Sequence, residues 1–210
     1  MEKIKTDKIP LWVIKTLIIA GIYGFSAFLY IAINDYNAGK TGAILSCRID
    51  ELIAFNRHWV WPYYFYYCII AFPIFIIKDK QELKKGMFVY LISMLVTSAF
   101  YFFWRTQMIR PEIINNDLSS RLLQGIYNRD NPYNCFPSQH VTYSFTAAFM
   151  TLRHNKTLGC IGLFVAFTIA LSTMFVKQHW FADFPSGVAV AALAYAIVYK
   201  TGLFKDNPIK

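Results

Sequence analysis

His179 and Asp183 stand four residues apart, so on a helix they share a face and the carboxylate can hold one imidazole nitrogen. The other nitrogen is then left to attack. Neutral imidazole is a competent nucleophile toward phosphorus, and a buried carboxylate would fix its tautomer and stabilise the positive charge that develops. His140, at the N-terminal edge of another apolar segment, could protonate a departing oxygen as imidazolium and then, once neutral, activate water. Pro137-Ser138 just before it is a helix-start signal that adds a hydroxyl and backbone N–H groups facing incoming anions. Arg110, Arg105 and Lys177 are the cations available to complete a phosphate cradle. Their fixed charge would stabilise a pentacoordinate phosphoryl transition state without a metal. No CxxC or Cys/His spacing suggests zinc. His58 and His154, each alone at a segment end, read as interfacial hydrogen-bonders.

These groups need elements to hold them, and composition says which. The chain of 210 residues is 56% apolar, 18% aromatic and only 16% charged, which excludes an ordinary soluble domain and indicates an integral membrane protein. A bilayer core of about 30 Å takes roughly 20 mostly apolar residues per helical crossing. Six stretches meet that need: 11–33, 58–77, 86–104, 137–152, 157–176 and 180–199. The first follows a basic start but lacks a small-residue cleavage pattern, so it reads as a retained anchor rather than a signal peptide. Short connections and the absence of repeats make 1–210 one all-α domain, a polytopic six-helix bundle.

Basic residues set the expected orientation, because Lys and Arg near helix ends stay in the cytoplasm. Lys3, Lys5, Lys8, Lys78, Lys80, Lys84, Lys85, Arg153, Lys156, Lys200, Lys205 and Lys210 mark one side, and with it both termini, as cytoplasmic. The net charge of +9 then reflects contact with anionic lipid heads and calls for no nucleic acid. Loops 34–57, 105–136 and 177–179 face outward, and both histidine clusters open onto that face. The 49–55 stretch reads as a short amphipathic helix at the interface, followed by an aromatic belt at 59–67. The loop before Phe136 is dense in turn formers and can fold over a site. Cys47 and Cys135 lie in outer loops and could meet as a disulfide.

In their order, these residues resemble the motifs of the type 2 phosphatidic acid phosphatase superfamily, which shares a helical core with vanadium haloperoxidases. The first motif, Lys-x6-Arg-Pro, is similar to the segment ending in Arg110-Pro111, with Phe103 at the lysine position. The second, Pro-Ser-Gly-His, is met by Pro137-Ser138-Gln139-His140, with Gln139 for glycine. The third, Ser-Arg-x5-His-x3-Asp, is met by Ser172, His179 and Asp183, with Thr173 for arginine. The likeness covers about residues 48–200 and implies His179 as phosphohistidine nucleophile, Asp183 as its orienter and His140 as acid and base. It also implies Ser138 and Arg110, with Gln139 beside them, as phosphate ligands, and no metal or other cofactor. Arg105 and Lys177 are the expected substitutes for the two missing cations.

The expected activity is hydrolysis of a lipid phosphate or diphosphate at the outer leaflet of the plasma membrane, with membrane lipids the only other partners and no obligate protein partner. The variant motifs look more like the branch that includes inositol phosphorylceramide synthase-like proteins, so head-group transfer is the alternative. A non-catalytic lipid-phosphate binder is the third. Hydrolysis is favoured because it needs only water as second substrate.

Overall fold

The structure, a computed structural model, describes residues 9–201. All regular elements among them are helical: α1 (Leu11–Asn37), α2 (Arg48–Leu52), α3 (Val60–Ile69), α4 (Phe72–Ile76), α5 (Lys80–Phe103), α6 (Leu118–Arg129), α7 (Gln139–His154), α8 (Lys156–Phe175) and α9 (Asp183–Lys200). Local chemistry explains four of the starts. Asp79, Asp117, Ser138 and Asn155 each accept a backbone N–H of the first turn of α5, α6, α7 and α8 respectively. Pro73 cannot donate to the helical ladder, and the apolar run expected as one segment over 58–77 is divided there into α3 and α4.

Four helical segments are long and apolar enough to cross a membrane: Leu11–Asn37, Arg57–Ile76, Lys80–Phe103 and Lys156–Phe175. The two other expected crossings form α7 and α9, which are helices but fall outside that class. The reason is packing. α7 lies at the centre, in contact with α3, α4, α5, α8 and α9, so little of it needs to match lipid. It buries Thr142, Ser144, Thr146 and Thr151 along with its apolar residues. At 16 residues it is roughly 24 Å long, short of a bilayer core. α9 begins with a fully buried carboxylate, Asp183.

The two ends of α7 define the two ends of the bundle. Its C-terminal end carries Arg153 and His154, which gather with Lys85 around Glu82 at 3.0, 3.7 and 3.1 Å. Its N-terminal end carries His140. Lys3, Lys5, Lys8, Lys205 and Lys210, and the termini with them, lie outside the described residues. A short helix, α2, forms within the stretch 49–55 expected to be helical, and the amphipathic α6 forms inside the loop that precedes Phe136. Cys47 is exposed and Cys135 buried, and both are free thiols, so the disulfide considered from the sequence is not formed.

Candidate active site

Three loops knit together above the N-terminal end of α7. Ala43 accepts from Gln107 N and donates its own N–H to Arg105 O, both at 2.9 Å, while Met108 N donates to Pro132 O at 2.9 Å. The buried Thr106 hydroxyl then accepts the N–H groups of Cys135 and Phe136 at 3.1 and 3.0 Å. That contact fixes the Cys135 carbonyl, which accepts from His179 Nδ1 at 2.9 Å.

His179 itself is placed by the end of α8. Lys177, in the left-handed region at φ 50°, donates its N–H to Met174 O, and Gln178 N reaches back to Thr173 O at 2.8 Å. This is a Schellman turn with lysine where glycine is usual, and it turns Gln178 and His179 back toward α7. Thr173, which stands where the motif has arginine, serves here through its carbonyl. Asp183 Oδ2 accepts from His179 Nδ1 at 3.1 Å and from Trp180 N at 2.9 Å. Two oxygen acceptors on Nδ1 require that nitrogen to carry the proton, which leaves Nε2 with its lone pair. His140 Nδ1 lies 3.3 Å from that Nε2 and so is the donor of the pair. The rings of Tyr63 and Tyr66 lie against His140 at centroid distances of 4.7 and 4.5 Å and restrict its ring.

Arg110 is the cation tied to the His179 loop, through Gln178. Its Nη2 donates to Gln178 Oε1 at 2.5 Å and reaches Asp130 Oδ2 at 3.4 Å, Nη1 donates to Asp130 O at 2.5 Å, and the guanidinium lies over the Tyr127 ring. Because Arg110 only donates, the Gln178 amide must turn its oxygen toward it and its Nε2 away. Gln178 Nε2 and Arg110 Nε are both buried donors without an acceptor among the described residues, and Asp183 Oδ1 is an acceptor without a donor. A buried donor without a partner loses the hydration it had when unfolded, so a phosphate oxygen brought to it gains a full charge-assisted bond. Burial raises the Asp130 carboxyl above the usual range, with Arg110 pulling the other way.

The remaining expected ligands are used elsewhere. Ser138 Oγ caps α7 by accepting from Val141 N at 3.3 Å, and Ser138 N donates to Asp183 O at 3.2 Å. Gln139 turns to α1, where its Nε2 donates to Ser26 Oγ and Tyr143 OH at 2.9 and 3.0 Å. Arg105 bonds Asn37 Oδ1 and Thr41 O at 2.9 and 3.2 Å, and the Lys177 ammonium bonds the carbonyls of Ile53 and Asp50. Neither cation is hydrogen-bonded to the histidine pair, and Phe103 is 83% exposed.

Gln178, Thr106 and Asp50 are the contributors that sequence reasoning passed over. Asp50 accepts from Phe181 N at 2.7 Å and Cys47 N at 2.9 Å, which pins α2 to the His179 loop. An acidic residue beside Glu51 in an amphipathic stretch gives no such signal. Gln178 is adjacent to His179 but lacks charge, so its type alone does not point to a phosphate.

Among the described residues no cluster of three or more His, Cys, Asp or Glu is arranged to hold a metal. The sequence profile of the PAP2 superfamily matches residues 86–205 of this chain. A PA-phosphatase related-family protein of Dictyostelium discoideum is 29% identical over 76 residues, covering 35% of this chain and 14% of its own length. The match thus spans a small part of that relative. No solved structure matches.

Proposed function

The chain belongs to the PAP2 superfamily, which indicates phosphatase-type activity in a membrane protein, and on that premise we propose that it hydrolyses a lipid phosphate or diphosphate through a phosphohistidine intermediate. The observation that carries this reading is the convergence of an oriented imidazole, a second imidazole 3.3 Å away and two buried donors without acceptors, Arg110 Nε and Gln178 Nε2. His179 Nε2 forms a bond to phosphorus as the bond from phosphorus to the lipid oxygen breaks. Asp183 and the Cys135 carbonyl hold Nδ1–H and stabilise the positive ring. The arriving phosphate parts the two rings, and His140, entering the step as imidazolium, turns the N–H that faced Nε2 to the departing oxygen, gives it the proton and is left neutral. Neutral His140 then takes a proton from water as the water oxygen bonds phosphorus and the N–P bond breaks. Arg110 and Gln178 hold the equatorial oxygens, where charge accumulates in the transition state.

In this reading α7 and α9 cross the membrane with the four longer helical segments to make six crossings, the basic end lies in the cytoplasm, and the site opens on the outer leaflet of the plasma membrane. The lysines around α5 and α8 support that orientation. The test is inorganic phosphate release in detergent with EDTA, from phosphatidic acid, phosphatidylglycerol phosphate and polyprenyl mono- and diphosphates. We expect wild-type release and a base-stable, acid-labile phosphoprotein in quenched samples, with both absent in His179→Ala. Turnover in that variant above about a tenth of wild type would remove His179 from the role.

A further inference from the structure

We propose that the substrate's hydrocarbon chain lies beneath α1, in two adjoining cavities that begin at His140 and run along the length of the bundle. This rests on the reading of the histidine pair as a lipid-phosphate site. The first cavity, about 510 Å³, lies among α1, α3, α6 and α7; His140, Asp130 and Arg129 line it together with Tyr63, Tyr66 and Ile70. The second, about 520 Å³, lies between α1 and α5 and is lined almost wholly by aliphatic and aromatic side chains, with Lys80 and Lys84 at its far end. Ile22 and Tyr143 line both, so the two adjoin.

Three observations select a chain of the substrate over other occupants. The path is polar where it meets His140 and apolar beyond, which matches an amphiphile held by its phosphate end. Above the first cavity, Tyr30 OH donates to Asp130 at 2.8 Å and Asn34 Nδ2 to Asn131 O at 3.1 Å, so α1 is tied to the loop that carries the site. A lipid whose chain follows this path therefore brings its head to the histidines and not to open solvent. Lastly, the residues of α1 that line the path run from Ile14 to Ile31, roughly 25 Å at 1.5 Å per residue. That is most of a hydrocarbon core of about 30 Å, so a chain that fills the path passes the midplane and is longer than one leaflet is deep.

Gly21 lines the second cavity, and a Cβ built on it meets nothing within 4 Å, so a larger side chain there enters open space rather than protein. The experiment compares kcat/KM for a long polyprenyl phosphate with that for dibutyryl phosphatidic acid, in wild type, Gly21→Leu and Gly21→Trp. The expected result is a long-to-short ratio that falls at least tenfold in Gly21→Trp, with Gly21→Leu between. An unchanged ratio means that bulk membrane lipid fills the cleft, and overturns the proposal; so does an equal loss on both substrates. Activity on the short substrate in each variant reports that the protein is folded. If wild type turned over neither substrate, the reading of the site itself would fail, an outcome distinct from an unchanged ratio.

Discussion

In the proposed mechanism Gln178, a neutral side chain, holds a phosphate oxygen in place of one of the two cations that the motifs carry and this chain lacks. Its oxygen is committed to Arg110, which leaves its buried Nε2 to bind an oxygen of the phosphate. Gln178→Leu should lower kcat/KM by about 10²-fold, the usual cost of one lost oxyanion donor. Gln178→Glu should lose more, because its carboxylate would pair with Arg110 and repel the phosphate; equal activity in the two variants would contradict this account. Asp130 makes a pH-dependent contribution. Burial raises its folded pKa above the unfolded value, so its contribution to stability is present below the unfolded pKa and is lost as pH rises through the folded one. Unfolding of wild type and Asp130→Asn in detergent across pH 4 to 8 should show wild type losing stability with rising pH relative to the variant. Parallel profiles would mean that Asp130 keeps its ordinary pKa.

Between elements, the close approach of α9 to α7 keeps the two histidines together. A Cβ on Gly187 would lie 2.9 Å from both Ser138 O and Val141 Cβ, so a methyl there must push the first turn of α7 away from α9. The Ser138 N–H bond to Asp183 O crosses the same contact. Gly187→Ala should therefore cost about 1–3 kcal/mol of stability through overpacking, and more in activity than in melting temperature, since His140 moves relative to Asp183 and His179. A variant that keeps both full stability and full kcat would show that the contact is not what sets the geometry. α2 is anchored in a comparable way through Asp50, and the Lys177 ammonium reinforces that anchor on two carbonyls.

For the whole molecule, the central decision is that α7 is surrounded by protein. A helix enclosed by five others can be short and carry threonines and serines, because its hydroxyls can pair with neighbouring helices inside the bundle, as Thr146 does with Ser93 of α5 at 3.3 Å. The site then lies at one end of the bundle and the Glu82 cluster at the other. Orientation follows as a prediction. In a background lacking the other cysteines, Cys47 should react with an impermeant maleimide added outside intact cells, and a cysteine placed at Asp79 only after permeabilisation. The reverse pattern would put the site on the cytoplasmic side.

The apolar helices were legible in the sequence because apolar length is a local signal, and Ser138 marked the start of α7; α5 begins six residues before the expected 86, and α6, capped by Asp117, lies inside what read as a loop. The pairing of His179 with Asp183 was legible too, although it forms across the bend that leads into α9 and not on one helix face as the spacing suggested. The distance from His140 to His179 was not, because 39 residues separate them and only the packing of α7 with α8 and α9 closes the gap. Nor could charge and proximity in sequence tell Arg110 from Arg105 and Lys177. Long cationic side chains bond whichever acceptors the fold presents, and here the loop carbonyls took two of them while Arg110, steered by Asp130 and Gln178, met the site.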